Sequence, residues 1–150
     1  MQRKKTVTGI AVVLAVVLAV GYFLLLPVYE PGKTYMAMHI DPATGDAEST
    51  ILEFDGDWLT RRWNVEPPRF HGVVIAPPVT DPEQEVQWVD FVALGDSFIG
   101  SAGLDEHGLH IYANKDLYHF ACQTADGGYI VGPAPTVQDA QAILKELGLR

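Results

Sequence analysis

The feature that most constrains the fold is a long apolar run near the N-terminus. Residues 6–29 contain no charged side chain. As a helix, residues 7–28 would measure about 33 Å, against about 30 Å for the hydrocarbon core of a bilayer. Arg3, Lys4 and Lys5 precede the run, and basic residues are retained on the cytoplasmic side of a membrane. The pattern predicts a single-pass transmembrane anchor over residues 7–29, with residues 1–6 in the cytoplasm.

The rival interpretation of this run is a cleaved signal peptide. Signal peptides have a shorter apolar core of about 7–15 residues, followed by small residues at the cleavage site. Here the run is longer, and it continues into Pro27, Val28 and Tyr29 without a pair of small residues. We therefore expect an uncleaved signal anchor in the cell membrane. Residues 31–150 then form an extracytoplasmic domain, either periplasmic or extracellular.

Small residues recur within the run. Ala11, Ala15 and Ala19 are spaced four residues apart, so they share one helix face. This spacing allows two helices to approach closely. It predicts a helix-packing face, used either in a homo-oligomer or against a larger membrane protein complex. The alternative is that these alanines have no partner, because alanine is common in apolar segments.

The rest of the chain is strongly acidic. Residues 31–150 contain seven Lys and Arg against eighteen Asp and Glu, and the whole chain has a net charge of −9. Phosphate binding requires clustered basic residues, so this balance excludes nucleic acid as a partner. The length favours a single domain. Cys122 is the only cysteine, so the chain cannot form an internal disulfide.

The pattern after the anchor predicts an α+β domain. Asp55-Gly56 lies between two apolar runs and predicts a tight hairpin. A helix is predicted from residue 81 to about residue 95, because proline at position 82 suits the first turn of a helix. Thr136 caps a second helix that ends near residue 147. The predicted strands are residues 33–40, 50–54, 58–65, 70–76, 109–113, 117–123 and 129–132. We expect one transmembrane helix followed by an antiparallel sheet with about two helices, the last at the C-terminus.

Three histidines form the densest group of possible metal ligands. Imidazole nitrogens bind zinc or copper, and the group comprises His107, His110 and His119, with Cys122 nearby. A hairpin around residues 114–115 would bring two of these imidazoles together. The spacing matches no established metal signature, however, so we expect no cofactor, with a metal ion as the alternative.

Arg61, Arg62 and Trp63 form a second candidate site. They contain the only adjacent basic residues outside the N-terminus, so they could contact lipid phosphates, a cofactor carboxylate or an acidic partner. The alternative is a solvated strand edge with one cation–π contact.

Two short stretches resemble known families. Val131-Gly132-Pro133, followed by Thr136 and Ala140, is similar to half of a SPOR-type repeat, although those domains continue with a further strand. That resemblance implies binding to the glycan strands of peptidoglycan. Gly95-Asp96-Ser97 resembles the Gly-Asp-Ser block of certain lipases and esterases, in which the serine is the nucleophile and requires a distant Asp and His. Asp116 and His119 have the spacing of such a pair.

The sequence shows no assembled nucleophile–base pair, so we do not expect an enzyme. We expect a membrane-anchored accessory or structural subunit that docks its extracytoplasmic domain on a larger membrane protein complex. The alternative is an envelope binding module for a glycan or a metal ion.

Overall fold

A computed structural model describes residues 2–61, 66–77, 86–102 and 109–149, with side chains described from residue 10 onward. Helix α1, Gln2–Leu25, comes first, and helix α2, Val137–Glu146, comes last. The described residues form ten strands between these helices: β1 Pro27–Pro31, β2 Thr34–Ile40, β3 Ala47–Arg61, β4 Arg69–Ile75, β5 Gln87–Asp90, β6 Val92–Leu94, β7 Ser97–Ala102, β8 Leu109–Asn114, β9 Phe120–Gln123 and β10 Tyr129–Gly132.

All ten strands belong to one antiparallel sheet. The order is β5-β4-β3-β2-β10-β9-β8-β7-β6, and β1 pairs with the second half of β3. Strands β5 and β7 also contact each other across the opening, so the sheet curls into a nearly closed, barrel-like form. The predicted α+β class is therefore wrong: over the described residues the protein is mostly antiparallel sheet, with two helices.

Aromatic side chains fill the inside of this sheet. Phe54 lies at their centre, with ring centroids 4.7 Å from Phe120, 5.1 Å from Trp58 and 5.4 Å from Phe70. These four side chains are all buried. Because successive residues of a strand point to opposite faces, their sequence neighbours point outward.

A second buried cluster holds α2 against the outer face of the sheet. Ala140, Ile143 and Leu144 of the helix pack with Met38 and Val131 of the strands. The Asp139 backbone N–H donates to Thr136 Oγ1 at 3.2 Å, which is the expected cap. The C-terminal helix thus lies where the sequence predicts it.

The predicted hairpin at Asp55-Gly56 is wrong, because β3 continues through it. Gly56 lies opposite Gly72 of β4, and the two backbones approach very closely there. A Cβ atom on Gly72 would lie 2.2 Å from the Asp55 carbonyl oxygen. Glycine at both positions allows this approach, and pairing on both sides of β3 keeps it extended rather than turned.

The predicted helix from residue 81 to about 95 is also wrong. Residues 78–85 lie outside the described residues, and the remainder forms β5 and β6. Strand β5 pairs with β4 from Gly72↔Gln87 to Arg69↔Asp90. Val89 is fully buried, whereas its sequence neighbours Trp88 and Asp90 are exposed. This alternation of buried and exposed side chains is typical of a strand. Pairing with β4 therefore overrides the local helix signals.

The apolar N-terminal run does not form the predicted anchor. It is divided between two elements, since α1 ends at Leu25 and Pro27–Pro31 forms β1, which pairs with β3. Across the described residues, no helix combines the length and the apolar character needed to cross a membrane. The predicted transmembrane helix over residues 7–29 and the single-pass signal anchor are contradicted by this finding.

Candidate functional site

The structure holds two of the three candidate metal ligands apart. His110 Nδ1 lies 3.0 Å from Ser101 Oγ, whereas His119 Nδ1 lies 2.7 Å from a carboxylate oxygen of Glu146. The strand register pairs His110 with Gln123, so the two histidines sit about 13 Å apart along the hairpin. His107 lies outside the described residues. Among the residues that are described, no three His, Cys, Asp or Glu side chains form a group that could hold a metal ion.

Cys122 is fully buried on β9, inside the sheet. Burial disfavours the charged thiolate and raises the pKa of this thiol to about 12. The thiolate is the reactive form of cysteine, so the position suits packing rather than nucleophilic chemistry.

We expect the Cys122 thiol to be unreactive in the folded protein. With 5,5′-dithiobis(2-nitrobenzoate) at pH 8, native protein should release thionitrobenzoate at least about 100-fold more slowly than protein unfolded in guanidinium, because the folded thiol is both protonated and covered. Equal rates in the two states would contradict this assignment.

The basic pair and the alanine stripe are only partly described. Arg61 ends β3 and pairs with Glu66 at 2.9 Å, whereas Arg62 and Trp63 lie outside the described residues. Ala11, Ala15 and Ala19 are exposed on α1. Helix packing through these alanines stays a prediction, as do the extracytoplasmic location and the bilayer as a partner, because nothing in the structure tests them.

The Gly-Asp-Ser stretch does not resemble a nucleophile site in the structure. Ser97 is buried at the start of β7, opposite Asn114. Lys115 Nζ donates to Asp96 at 2.6 Å, and this contact lowers the pKa of the Asp96 carboxyl. The imidazole of His119 is instead held by Glu146, so the described residues bring no base to Ser97.

A different surface stands out on the outer face of β1, β3, β4 and β5. Trp58, Phe70 and Val89 point inward, so the residues on either side of them point outward. Residues that lie opposite each other in antiparallel strands project to the same side of the sheet. One row across the four strands is Tyr29, Leu59, Arg69 and Asp90, and the next is Pro31, Asp57, His71 and Trp88. We call these two rows, together with Asp55, the Trp88 face.

Trp88 is held in place although it is 48% exposed. Its ring stacks on His71, with centroids 4.4 Å apart and an interplanar angle of 28°. The Arg69 guanidinium carbon lies 4.7 Å from the Trp88 ring centroid, within cation–π range. The Arg69 guanidinium also forms an ion pair with Asp90. Two side chains of β4 thus pack against the half-exposed indole on β5.

Sequence reasoning missed this face. The sequence pattern predicts a helix at Trp88 and the end of the anchor at Tyr29, so it places neither residue on a sheet. The one local signal was the alternation around Phe70, which puts Arg69 and His71 on the same side of a strand. Which residues lie across from them depends on strand register, which a single sequence does not show.

No family model, no curated protein and no solved structure matches this chain at a significant level. The SPOR-like stretch corresponds to β10 and α2, and glycan binding there stays a prediction.

Proposed function

We propose that this protein is an accessory or structural subunit that docks on a partner protein through the Trp88 face. The observation that carries the proposal is the surface indole of Trp88, half-exposed yet fixed by His71 and Arg69. A large aromatic side chain that already occupies one orientation loses little conformational freedom when a partner covers it. Such a side chain is therefore suited to binding.

The composition of the face supports a protein partner. Trp, Tyr and Arg are the residues enriched at the energetic centres of protein interfaces, and all three occur here within two neighbouring rows. Tyr29 is 64% exposed, which adds a second aromatic surface three strands away from Trp88. The two rows would form the centre of an interface, with the surrounding polar surface as its rim.

The packing inside the sheet also supports binding at the outer surface. The inward-facing side chains of the described strands pack against one another around Phe54 and Phe120. Side chains thus occupy the space in which larger barrels hold a ligand. Recognition then falls to the outer surface, where the Trp88 face lies.

We expect Trp88→Ala to abolish capture of the partner. Full-length tagged protein would be recovered from cells of the source organism in a mild detergent, and stoichiometric partners would be identified by mass spectrometry. Truncating a central interface residue typically costs about 2 kcal/mol or more, which is roughly a 30-fold loss of affinity. The matched control is Tyr118→Ala, since Tyr118 is 57% exposed and lies in the β8–β9 connection, outside the face.

The proposal requires a stoichiometric protein that is lost with Trp88→Ala and kept with Tyr118→Ala. Recovery of the chain alone would overturn it, as would a partner retained equally by both variants. Binding of the wild-type chain to purified peptidoglycan, with no protein partner recovered, would favour the glycan-binding alternative instead.

A further inference from the structure

We infer that the partner presents an extended basic segment to the Trp88 face, with Arg or Lys at alternate positions. This inference rests on the proposed function and adds the chemistry of the partner. It starts from the charges that the face leaves uncompensated.

The only cation among the described side chains of the face is already paired. Arg69 forms its ion pair with Asp90, so these two charges compensate each other. Asp55 and Asp57 are exposed on β3, and neither is in an ion pair with the described residues. The face therefore offers two carboxylates outside any ion pair on β3, two strands away from the exposed indole on β5.

The spacing of these carboxylates fits an extended segment. Asp55 and Asp57 are two residues apart on one side of a strand, which separates their Cα atoms by about 6.6 Å. Alternate side chains of an extended partner segment repeat at the same distance. Two basic residues of that segment can thus meet the two carboxylates in register.

The exposed indole of Trp88 also favours an arginine in the partner segment. Asp57 lies in the same row as His71 and Trp88. A guanidinium can stack on an aromatic ring and form a paired hydrogen bond to a carboxylate. One arginine of the partner would pair with Asp57 and a further apolar or basic side chain would cover the exposed part of the indole, whereas an acidic partner would meet two carboxylates outside any ion pair.

The net negative charge of residues 31–150 also attracts a basic partner, over a longer range than the two carboxylates. Residues 31–150 have eighteen acidic against seven basic side chains. A field of one sign raises the rate at which an oppositely charged partner associates. A basic segment would therefore be both steered toward this domain and held at the Trp88 face.

The test uses the full chain and two labelled peptides, followed by fluorescence anisotropy. One peptide alternates arginine with threonine over nine residues, and the other has glutamate in place of arginine. The variant is Asp55→Asn with Asp57→Asn. The control is Glu48→Gln with Asp116→Asn, which removes the same charge from exposed positions outside the face.

We expect the arginine peptide to bind and the glutamate peptide not to bind. The Asp55→Asn, Asp57→Asn variant should weaken arginine-peptide binding by about tenfold or more, and the control by about twofold or less, since contact charges matter more than distant ones. Equal losses from the two variants would overturn the inference, and so would an absence of arginine-peptide binding.

Trp88→Ala and the Asp55→Asn, Asp57→Asn variant, compared in the partner-capture experiment, distinguish this inference from the proposed function. If the native partner is lost with Trp88→Ala but recovered normally with Asp55→Asn and Asp57→Asn, the docking face stands and the basic partner segment is wrong. If Trp88→Ala leaves the partner bound, the proposed function itself fails.

Discussion

Phe54→Ala is expected to lower the free energy of unfolding by about 4 kcal/mol, within the range for removing a buried aromatic ring. Phe54 is 2% exposed, and its ring contacts those of Trp58, Phe70 and Phe120. Its removal leaves a cavity that rigid neighbouring rings on three strands cannot close. The measurement is urea unfolding followed by far-ultraviolet circular dichroism.

The matched control for this change is Ile51→Ala. Ile51 lies on the same strand, β3, but is 41% exposed, so its truncation should cost about 1 kcal/mol or less. A loss for Phe54→Ala no greater than the loss for Ile51→Ala would show that the ring cluster is not the stabilising core.

Gly72→Ala is expected to destabilise the protein by about 3 kcal/mol, at the upper end of the usual cost of overpacking. The new Cβ would lie 2.2 Å from the Asp55 carbonyl oxygen and 2.7 Å from the Gly56 Cα. Both are backbone atoms, so no side-chain rotation relieves the clash and β3 and β4 must separate. The shift in the midpoint of thermal unfolding measures the effect.

The control glycine is Gly21 in α1, where an added Cβ meets no atom within 4 Å. Gly21→Ala should leave the unfolding midpoint unchanged or slightly raised, because alanine favours helix. A Gly72→Ala protein with the wild-type midpoint would contradict the close approach of β3 and β4. That approach also positions His71 and Asp57 on the Trp88 face, so a folded Gly72→Ala variant should dock less well.

Local signals were sufficient for the C-terminal helix and for several strands. Thr136 caps α2, and the apolar residues that follow it recur at helical spacing, so the prediction needed no distant contact. Strand β8 alternates buried and exposed residues over Leu109–Asn114. The sequence pattern and the structure agree there because one side of the strand packs into the core.

Elements that depend on distant pairing were not predictable. Asp-Gly favours a turn locally, but β3 stays paired with β4 through Gly56, with β2 on its other side before this point and β1 after it, and that pairing keeps the strand extended. Strand β5 carries helix signals just before it, yet pairs with β4. In the same way, Pro27–Pro31 pairs with a strand about thirty residues later in the chain, which the apolar character of the run does not reveal.

The Trp88 face could not be predicted for the same reason. Its aromatic ends, Tyr29 and Trp88, are far apart in the sequence and lie on strands that do not pair directly. Only the registers of β1 with β3, β3 with β4 and β4 with β5 bring them onto one surface. A single sequence specifies the residues of this face but not their rows.

Site-specific photo-crosslinking tests the docking face most directly. p-Benzoylphenylalanine would replace Tyr29, an exposed aromatic residue of the Trp88 face, in one full-length variant and Tyr118 in another, and cells of the source organism would be irradiated before extraction. We predict a discrete cross-linked partner protein from position 29 and none from position 118. Cross-links of equal yield from both positions, or no protein cross-link from position 29, would contradict the account.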